Sequence, residues 1–193
     1  LVTHIVACYH FPRGQMQKRS YLQIEEPRGA NGDKVASFTI SGSLQLIDPT
    51  SKVGSAKLET LKELVSEIHG NDQKVVIFSQ FTKLLKLARL ELRMDENNSA
   101  YLDGQTKNRE EVVEDFKRDP DLKTFFVSIK AGGVGLNLTN ASYCIILDPW
   151  WNPAVEAQAI DRIHRIGQKN SVFAYRLIAK DTIEEKVAEL QNQ

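Results

Sequence analysis

From residue 55 onward the hydrophobic positions of this chain switch between two periods. Leu58, Leu61, Val65 and Ile68 recur at steps of three and four, which predicts a helix that Gly70 ends. Lys74–Ser79 is a β-branched run and predicts a buried strand. A leucine-rich helix follows to about Arg93. Ser99–Leu102 reads as a short strand. Val112, Val113 and Phe116 mark a helix that stops before Pro120. Thr124–Ile129, Tyr143–Leu147 and Val172–Ile178 read as further strands. Asp181 and Glu184 form a capping-box pattern for a last helix, with Ile183, Val187 and Leu190 on its inner face. Strands alternating with helices imply an α/β fold: a mostly parallel β-sheet covered by helices on both faces. Such sheets place their sites at the C-terminal ends of the strands.

Residues 1–54 follow neither period. They are rich in Gly, Ser, Pro and charge, and VASFTI and SLQLI around Ser41–Gly42 suit a hairpin. The predicted division is therefore 1–54, a leader or linker, and 55–193, the α/β domain.

One helix carries the densest chemistry. Asn152 suits an N-cap, Pro153 then falls at N1, and Gly167 suits the residue that ends the helix. The body would be about 14 residues, or roughly 21 Å. Val155, Ala159, Ile163 and Ile166 form its buried stripe. Gln158, Arg162 and Arg165 share another face, and Asp161, His164 and Gln168 a third. Two arginines a turn apart suit the stabilisation of charge on a phosphoryl group being cleaved. A solvated amphipathic helix with surface arginines gives the same spacing.

Upstream, Ala131-Gly132-Gly133-Val134-Gly135 follows a strand. A dinucleotide loop would open a helix of a dozen residues, whereas here another strand begins within about eight. A structural glycine turn is the simpler local alternative.

Four blocks in order resemble the Swi/Snf-type ATPases, the chromatin-remodeller and DNA-translocase branch of the superfamily 2 helicases. VVIFSQF (75–81) looks like their motif IV, YLDGQT (101–106) like motif IVa, SIKAGGVGLNLT (128–139) like motif V and DRIHRIGQ (161–168) like motif VI. SIKAGGVGLNLT and DPWWNPAVEAQA look closest to the bacterial members. The resemblance covers residues 55–193 and implies a RecA-like lobe, the second of two that clamp ATP between them.

The resemblance also implies roles for single residues. Arg162 and Arg165 would be arginine fingers reaching a γ-phosphate held by the other lobe, with Gln158 in the same cleft and His164 a packed helper. Ser128, Lys130, Gly132 and Gly133 would meet the DNA backbone, and Gly135 and Asn137 would face the nucleotide. Ser79, Gln80, Asp103, Gly104 and Thr106 lie at strand ends in motifs IV and IVa. Ser79 and Thr106 suit donation to phosphates, though Thr106 equally suits an N-cap. Trp151 matches the tryptophan the family places near the DNA groove, whereas Trp150 reads as a hydrophobic anchor. ACYHFP resembles the helical leader between the lobes.

No G-x-x-x-x-G-K-[ST] occurs, and Asp95–Glu96 is the nearest thing to an acidic Mg²⁺ box, better read as surface. ATP and Mg²⁺ would thus be bound mainly by an N-terminal lobe outside this chain, which begins at Leu1 and reads as a fragment. Alone it is expected not to turn ATP over. The expected partners are double-stranded DNA, that N-terminal lobe, and a protein complex on chromatin or RNA polymerase. The expected location is the nucleoid of a bacterium or the nucleus of a eukaryote.

Composition narrows this further. Net charge is zero, which argues against tight DNA binding by the chain alone. Yet Ala157–Lys180 holds five basic residues against one acidic, a bias that suits a phosphate-facing surface. No apolar run reaches the roughly 18 residues of a membrane span, so no membrane partner is expected. Cys8 and Cys144 read as reduced structural thiols. His4, Cys8 and His10 fit no common zinc spacing, and no metal site is expected. A second reading keeps the fold and drops the activity, a catalytically inactive RecA-like module that binds DNA or a protein; a third is a nucleotide-binding oxidoreductase domain, which tight NAD binding would have to support.

Overall fold

The computed structural model describes residues 2–11, 39–41, 55–131, 136–163, 171–179 and 182–191, the first two stretches as backbone. Strand β1 is Val2–Phe11 and β2 is Thr39–Ser41. Then follow α1 (Ala56–Gly70), β3 (Val75–Ser79), α2 (Thr82–Glu91), β4 (Ser99–Leu102), α3 (Arg109–Arg118) and β5 (Thr124–Ser128). The chain continues through β6 (Tyr143–Ile146), α4 (Pro153–Asp161), β7 (Val172–Ala179) and α5 (Ile183–Gln191). The strands form one sheet in the order β2-β1-β7-β6-β3-β5-β4. The five from β7 to β4 are parallel, and β1 and β2 add antiparallel at the β7 edge.

Alternation along the central strand sorts the core into two layers. Val76 and Phe78 face one way, into a cluster with Val113 and Phe116 of α3 and Ala159, Ile160 and Ile163 at α4. Val75 and Ile77 face the other way, against Leu58, Leu61, Leu64, Val65 and Ile68 of α1 and Leu85 and Ala88 of α2. Burying both faces explains why β3 and β5 read as continuous apolar runs. Each fully buried large side chain contributes about 1.5–3 kcal/mol. The α/β, mostly parallel, two-sided sheet predicted from the sequence is the fold observed.

The helix ends show where local signals fall short. Gly70 is the last residue of α1 rather than its stop. The left-handed residue is Asp72, with φ 56°. Its N–H bonds the His69 carbonyl, and the Gln73 N–H bonds that of Ile68. Helix α2 ends the same way: Arg93 has φ 55°, its N–H bonds the Leu90 carbonyl, and Met94 N–H bonds that of Arg89. Both are Schellman turns with a side chain where glycine is usual.

Two other expectations are corrected. ACYHF lies in the extended strand β1, not a helix. On α5, Val187 and Ala188 turn inward, whereas Ile183 and Leu190 are largely exposed. The pairing of Thr39–Ser41 is with Val2–His4, and the SLQLI half of the expected hairpin lies outside the described residues, as does Asp181 of the capping box. Just before the helix, Thr182 Oγ1 accepts the Glu184 N–H at 3.2 Å.

Candidate functional site

Parallel strands with short crossovers bring the C-terminal ends of β4, β3, β5 and β6 to one edge of the sheet. Residues 79–81, 103–106, 128–130 and 148–151 collect there. At its centre is Asp148, only 2% exposed. Its Oδ1 accepts the hydroxyl of Ser79, and its Oδ2 accepts the Gln80 N–H at 3.0 Å. The Gln80 side-chain amide donates to the Pro149 carbonyl at 3.3 Å, and Phe81 N–H donates to Ser79 Oγ at 3.0 Å. Burial raises the Asp148 pKa above the usual carboxylate value, against the opposing pull of these donors and of Lys57.

Ser79 is therefore not an open phosphate donor. It is fully buried, and its hydroxyl serves Asp148. Ser128, its register partner on β5, is 2% exposed and likewise packed within the sheet. Thr106 is engaged as well. Its hydroxyl accepts the Asp103 N–H at 3.0 Å and lies 3.5 Å from Asp103 Oδ1. The N-cap of α3 is Asn108, so the N-cap alternative for Thr106 does not hold. Asp103 closes this turn by accepting the Gln105 N–H at 2.8 Å. Burial, with Asp103 alongside, pushes the Tyr101 phenol up to about 12.

Exposed members of the edge include Gly104, Gln105, Lys130 and Trp151, the last 66% exposed. Lys130 Nζ lies 5.9 Å from the ring centroid of Trp150, which packs on the core as an anchor. Phe81 is also exposed at the tip of β3.

Helix α4 starts as the sequence predicts. Asn152 Oδ1 accepts the Ala154 N–H at 3.0 Å, with Pro153 in the first turn. It ends earlier than predicted, at Asp161, with Arg162 as C-cap. The Arg162 carbonyl accepts the N–H of Leu138 at 3.1 Å. That bond sets Asn137, which is exposed, beside the end of the arginine helix. Gln158 is exposed on α4 and Arg162 is half-buried. Ala159 and Ile163 are buried as the stripe requires, and Val155 packs against the same cluster. Gly132, Gly133, Gly135, His164, Arg165, Ile166 and Gly167 lie outside the described residues.

The site thus has two parts, strand tips carrying Gln80, Lys130 and Trp151, and a loop-and-helix end carrying Asn137, Gln158 and Arg162. Sequence reasoning missed the two acids that organise them. Asp148 stands in the DPWWNP block, where no local signal marks it as buried. Glu156, 1% exposed in α4, accepts the Trp150 N–H and pairs with Arg176 of β7. A third buried group, Lys57, donates to the Leu147 carbonyl at 2.8 Å and pairs with Glu184, which ties α1 to α5 below the same strand tip. Among the described residues no three His, Cys, Asp or Glu gather as a metal site, and no helix is long and apolar enough to cross a membrane. The side chains of His4, Cys8 and His10 lie outside the described residues.

Residues 56–167 match the helicase conserved C-terminal domain. The chain is 44% identical over 147 residues to the DNA repair protein rad8 of Schizosaccharomyces pombe, covering 74% of this chain and 13% of that protein. It is 40% identical over 141 residues to an uncharacterized ATP-dependent helicase of Mycoplasma genitalium, covering 72% of this chain and 14% of that protein. The chain thus spans only about one-seventh of these relatives. Fungal and bacterial relatives match at comparable identity, so identity does not single out a bacterial branch. Among solved structures, the C-terminal part of the Fun30 ATPase domain superposes with a TM-score of 0.68 at 39% identity, over 72% of this chain and 47% of that one.

Proposed function

The chain belongs to the helicase conserved C-terminal domain family, among the Snf2-type ATPases of superfamily 2, and on that footing we propose that it is the C-terminal motor lobe of an ATP-dependent double-stranded DNA translocase or remodeller. Residues 55–193 carry the parallel body of the lobe, and residues 1–54, whose β1 and β2 extend its sheet, lead toward an N-terminal lobe. The whole protein works on DNA in the nucleus or on the nucleoid, within a repair, chromatin or transcription complex.

The observation that carries the reading is the bond from Leu138 N–H to the Arg162 carbonyl. It joins the loop that starts beside the strand tips to the helix that ends in arginine. Gln80, Lys130 and Trp151 are the DNA-facing groups, with Gly132 and Gly133 continuing that face. Asn137, Gln158 and Arg162, with Gly135 and Arg165, are the nucleotide-facing groups. Ser79, Thr106 and Ser128 support the first set from beneath.

The donors fit a triphosphate. Guanidinium stays charged and offers planar paired N–H groups, and side-chain amides add neutral donors. ATP, when bound, supplies a phosphoanhydride bond whose cleavage gathers charge on the transferring group, and Mg²⁺ falls to the N-terminal lobe. Arg162 and Arg165 stabilise that charge only when the lobes close. Closure and reopening shift the strand-tip surface along one DNA strand, without strand separation being required.

The test is ATP turnover by the intact protein, with and without duplex DNA, for wild type and Arg165→Ala. DNA-stimulated turnover that collapses in the variant supports the reading. No turnover in wild type hands the chain to the inactive binding-module reading. A variant equal to wild type removes Arg165 from the cleft.

A further inference from the structure

Glu156 occupies an uncommon place for an acid. Near a helix start a carboxylate is normally solvated, yet here it is 1% exposed. Its two oxygens are committed to different elements. Oε1 accepts the main-chain N–H of Trp150 at 2.6 Å, on the turn leaving β6. Oε2 pairs with the guanidinium of Arg176, on β7, the strand beside β6. A buried ion pair is weak evidence for stability, because an apolar pair of similar volume often serves the fold as well. What this one fixes is geometry.

Both ends of α4 are hydrogen-bonded to the candidate site, the start through the Glu156 side chain and the far end through main chain. At the start, Glu156 grips the amide between Pro149 and Trp150. The Trp150 ring carries Lys130 on its face, and Trp151 stands exposed beside it. At the far end, the Arg162 carbonyl grips Leu138. A nine-residue helix fixed at both ends moves as one piece. We propose that Glu156 is a positioning residue that locks the Trp150–Trp151 turn to α4, so that a load on the strand tips reaches the arginine end of the helix. This rests on the motor-lobe reading for its two ligands, duplex DNA and ATP, and adds the tie between them.

The chain has two tryptophans, and both lie in this turn, so their fluorescence reports on it alone. Two variants separate the tie from the fold. Glu156→Asp keeps a charge against Arg176 but is a methylene too short to hold the Trp150 amide as well. Glu156→Met with Arg176→Met replaces the pair by apolar bulk and should melt near wild type. For each variant that folds, acrylamide quenching of the 193-residue chain should rise. In the intact protein, the ratio of DNA-stimulated to DNA-free ATP turnover should fall about tenfold. A merely structural role would lower the melting temperature and the active fraction without moving that ratio.

Unchanged quenching in a folded variant overturns the lock, and raised quenching with an unchanged ratio overturns the coupling. If neither variant folds, Glu156 is an anchor of the fold and the proposal is lost. Absence of DNA-stimulated turnover in wild type would instead sink the motor-lobe reading, while the fluorescence result would still decide whether Glu156 orders the turn.

Discussion

The amide of Leu138 donates to the carbonyl of Arg162 at 3.1 Å, so the loop after β5 is pinned to the end of α4 through main chain alone. Arg162→Ala keeps that carbonyl and removes the side chain beyond Cβ, the guanidinium included. The expected result is a fall of about 10³-fold or more in DNA-stimulated ATP turnover by the intact protein, far beyond any loss of folded fraction that the melt reports. Steady-state kinetics beside a thermal melt check it. Turnover at the wild-type level would place the Arg162 side chain away from the transferring phosphate.

Ser79 and Lys130 should separate stability from DNA affinity. Ser79→Ala leaves the buried Asp148 short of one donor and should destabilise by about 1–3 kcal/mol. The salt dependence of duplex binding should not move. Lys130→Gln should leave stability alone and reduce the slope of log affinity against log salt by about 0.9. Denaturant titration and anisotropy across a salt series read the two effects. A changed slope in Ser79→Ala would restore Ser79 as a phosphate contact.

Lys57 is 3% exposed and held by the Leu147 carbonyl and Glu184. Lys57→Met takes this donor from the Leu147 carbonyl and the counter-charge from Glu184, whose Oε2 keeps the Ala179 N–H at 3.0 Å. The expected loss is about 2–3 kcal/mol, less than for a fully buried pair because the Glu184 side chain is a quarter exposed. Urea unfolding measures it. A loss below about 0.5 kcal/mol would show that water replaces the lysine at no cost.

His69 gives the lobe a pH dependence of defined sign. Half-burial first, and Lys123 second, lower its pKa from 6.5. The unfolded chain therefore takes up the proton at higher pH than the folded one. Stability is whole above pH 6.5 and is lost as pH falls from there toward the folded value. His69→Gln should flatten this limb, and the Thr124 hydroxyl that His69 meets at 2.9 Å would keep a partner. Melting temperatures across the range decide it, and an identical slope in the variant would refute the assignment.

Arg93 holds a left-handed conformation that costs a side chain about 1–2 kcal/mol. Arg93→Gly should raise stability by about 0.5–1 kcal/mol, the remainder being offset by the freedom glycine has when unfolded. A melt of the single variant tests it, and a lower melting temperature would mean that the arginine side chain makes contacts outweighing the strain.

What was legible in the sequence was local. The apolar runs of β3 and β5, the Asn152–Pro153 start of α4 and the stop before Pro120 need only near neighbours. Asp148 and Glu156 were illegible because their partners are remote: Ser79 lies 69 residues from Asp148, and Arg176 lies 20 from Glu156. Periodicity also misassigned α5. Ile183, Val187 and Leu190 fit a helical stripe, but the helix is rolled so that small Ala188 sits against the body with Val187. The resemblance located strand-tip serines and a threonine correctly in the chain, yet not Asp148, the acid that holds the Ser79 hydroxyl inward.

Among the described residues, the sheet begins with a strand of three residues and finishes with one of four, β2 and β4. Eight-residue β7 would otherwise end the parallel set, but ten-residue β1 lies along it. Unpaired strand edges recruit other chains, and short ones recruit poorly. On the motor-lobe reading, the β4 side of the sheet gives a lobe that parts from its neighbour a margin of only four residues, too short to hold another chain well.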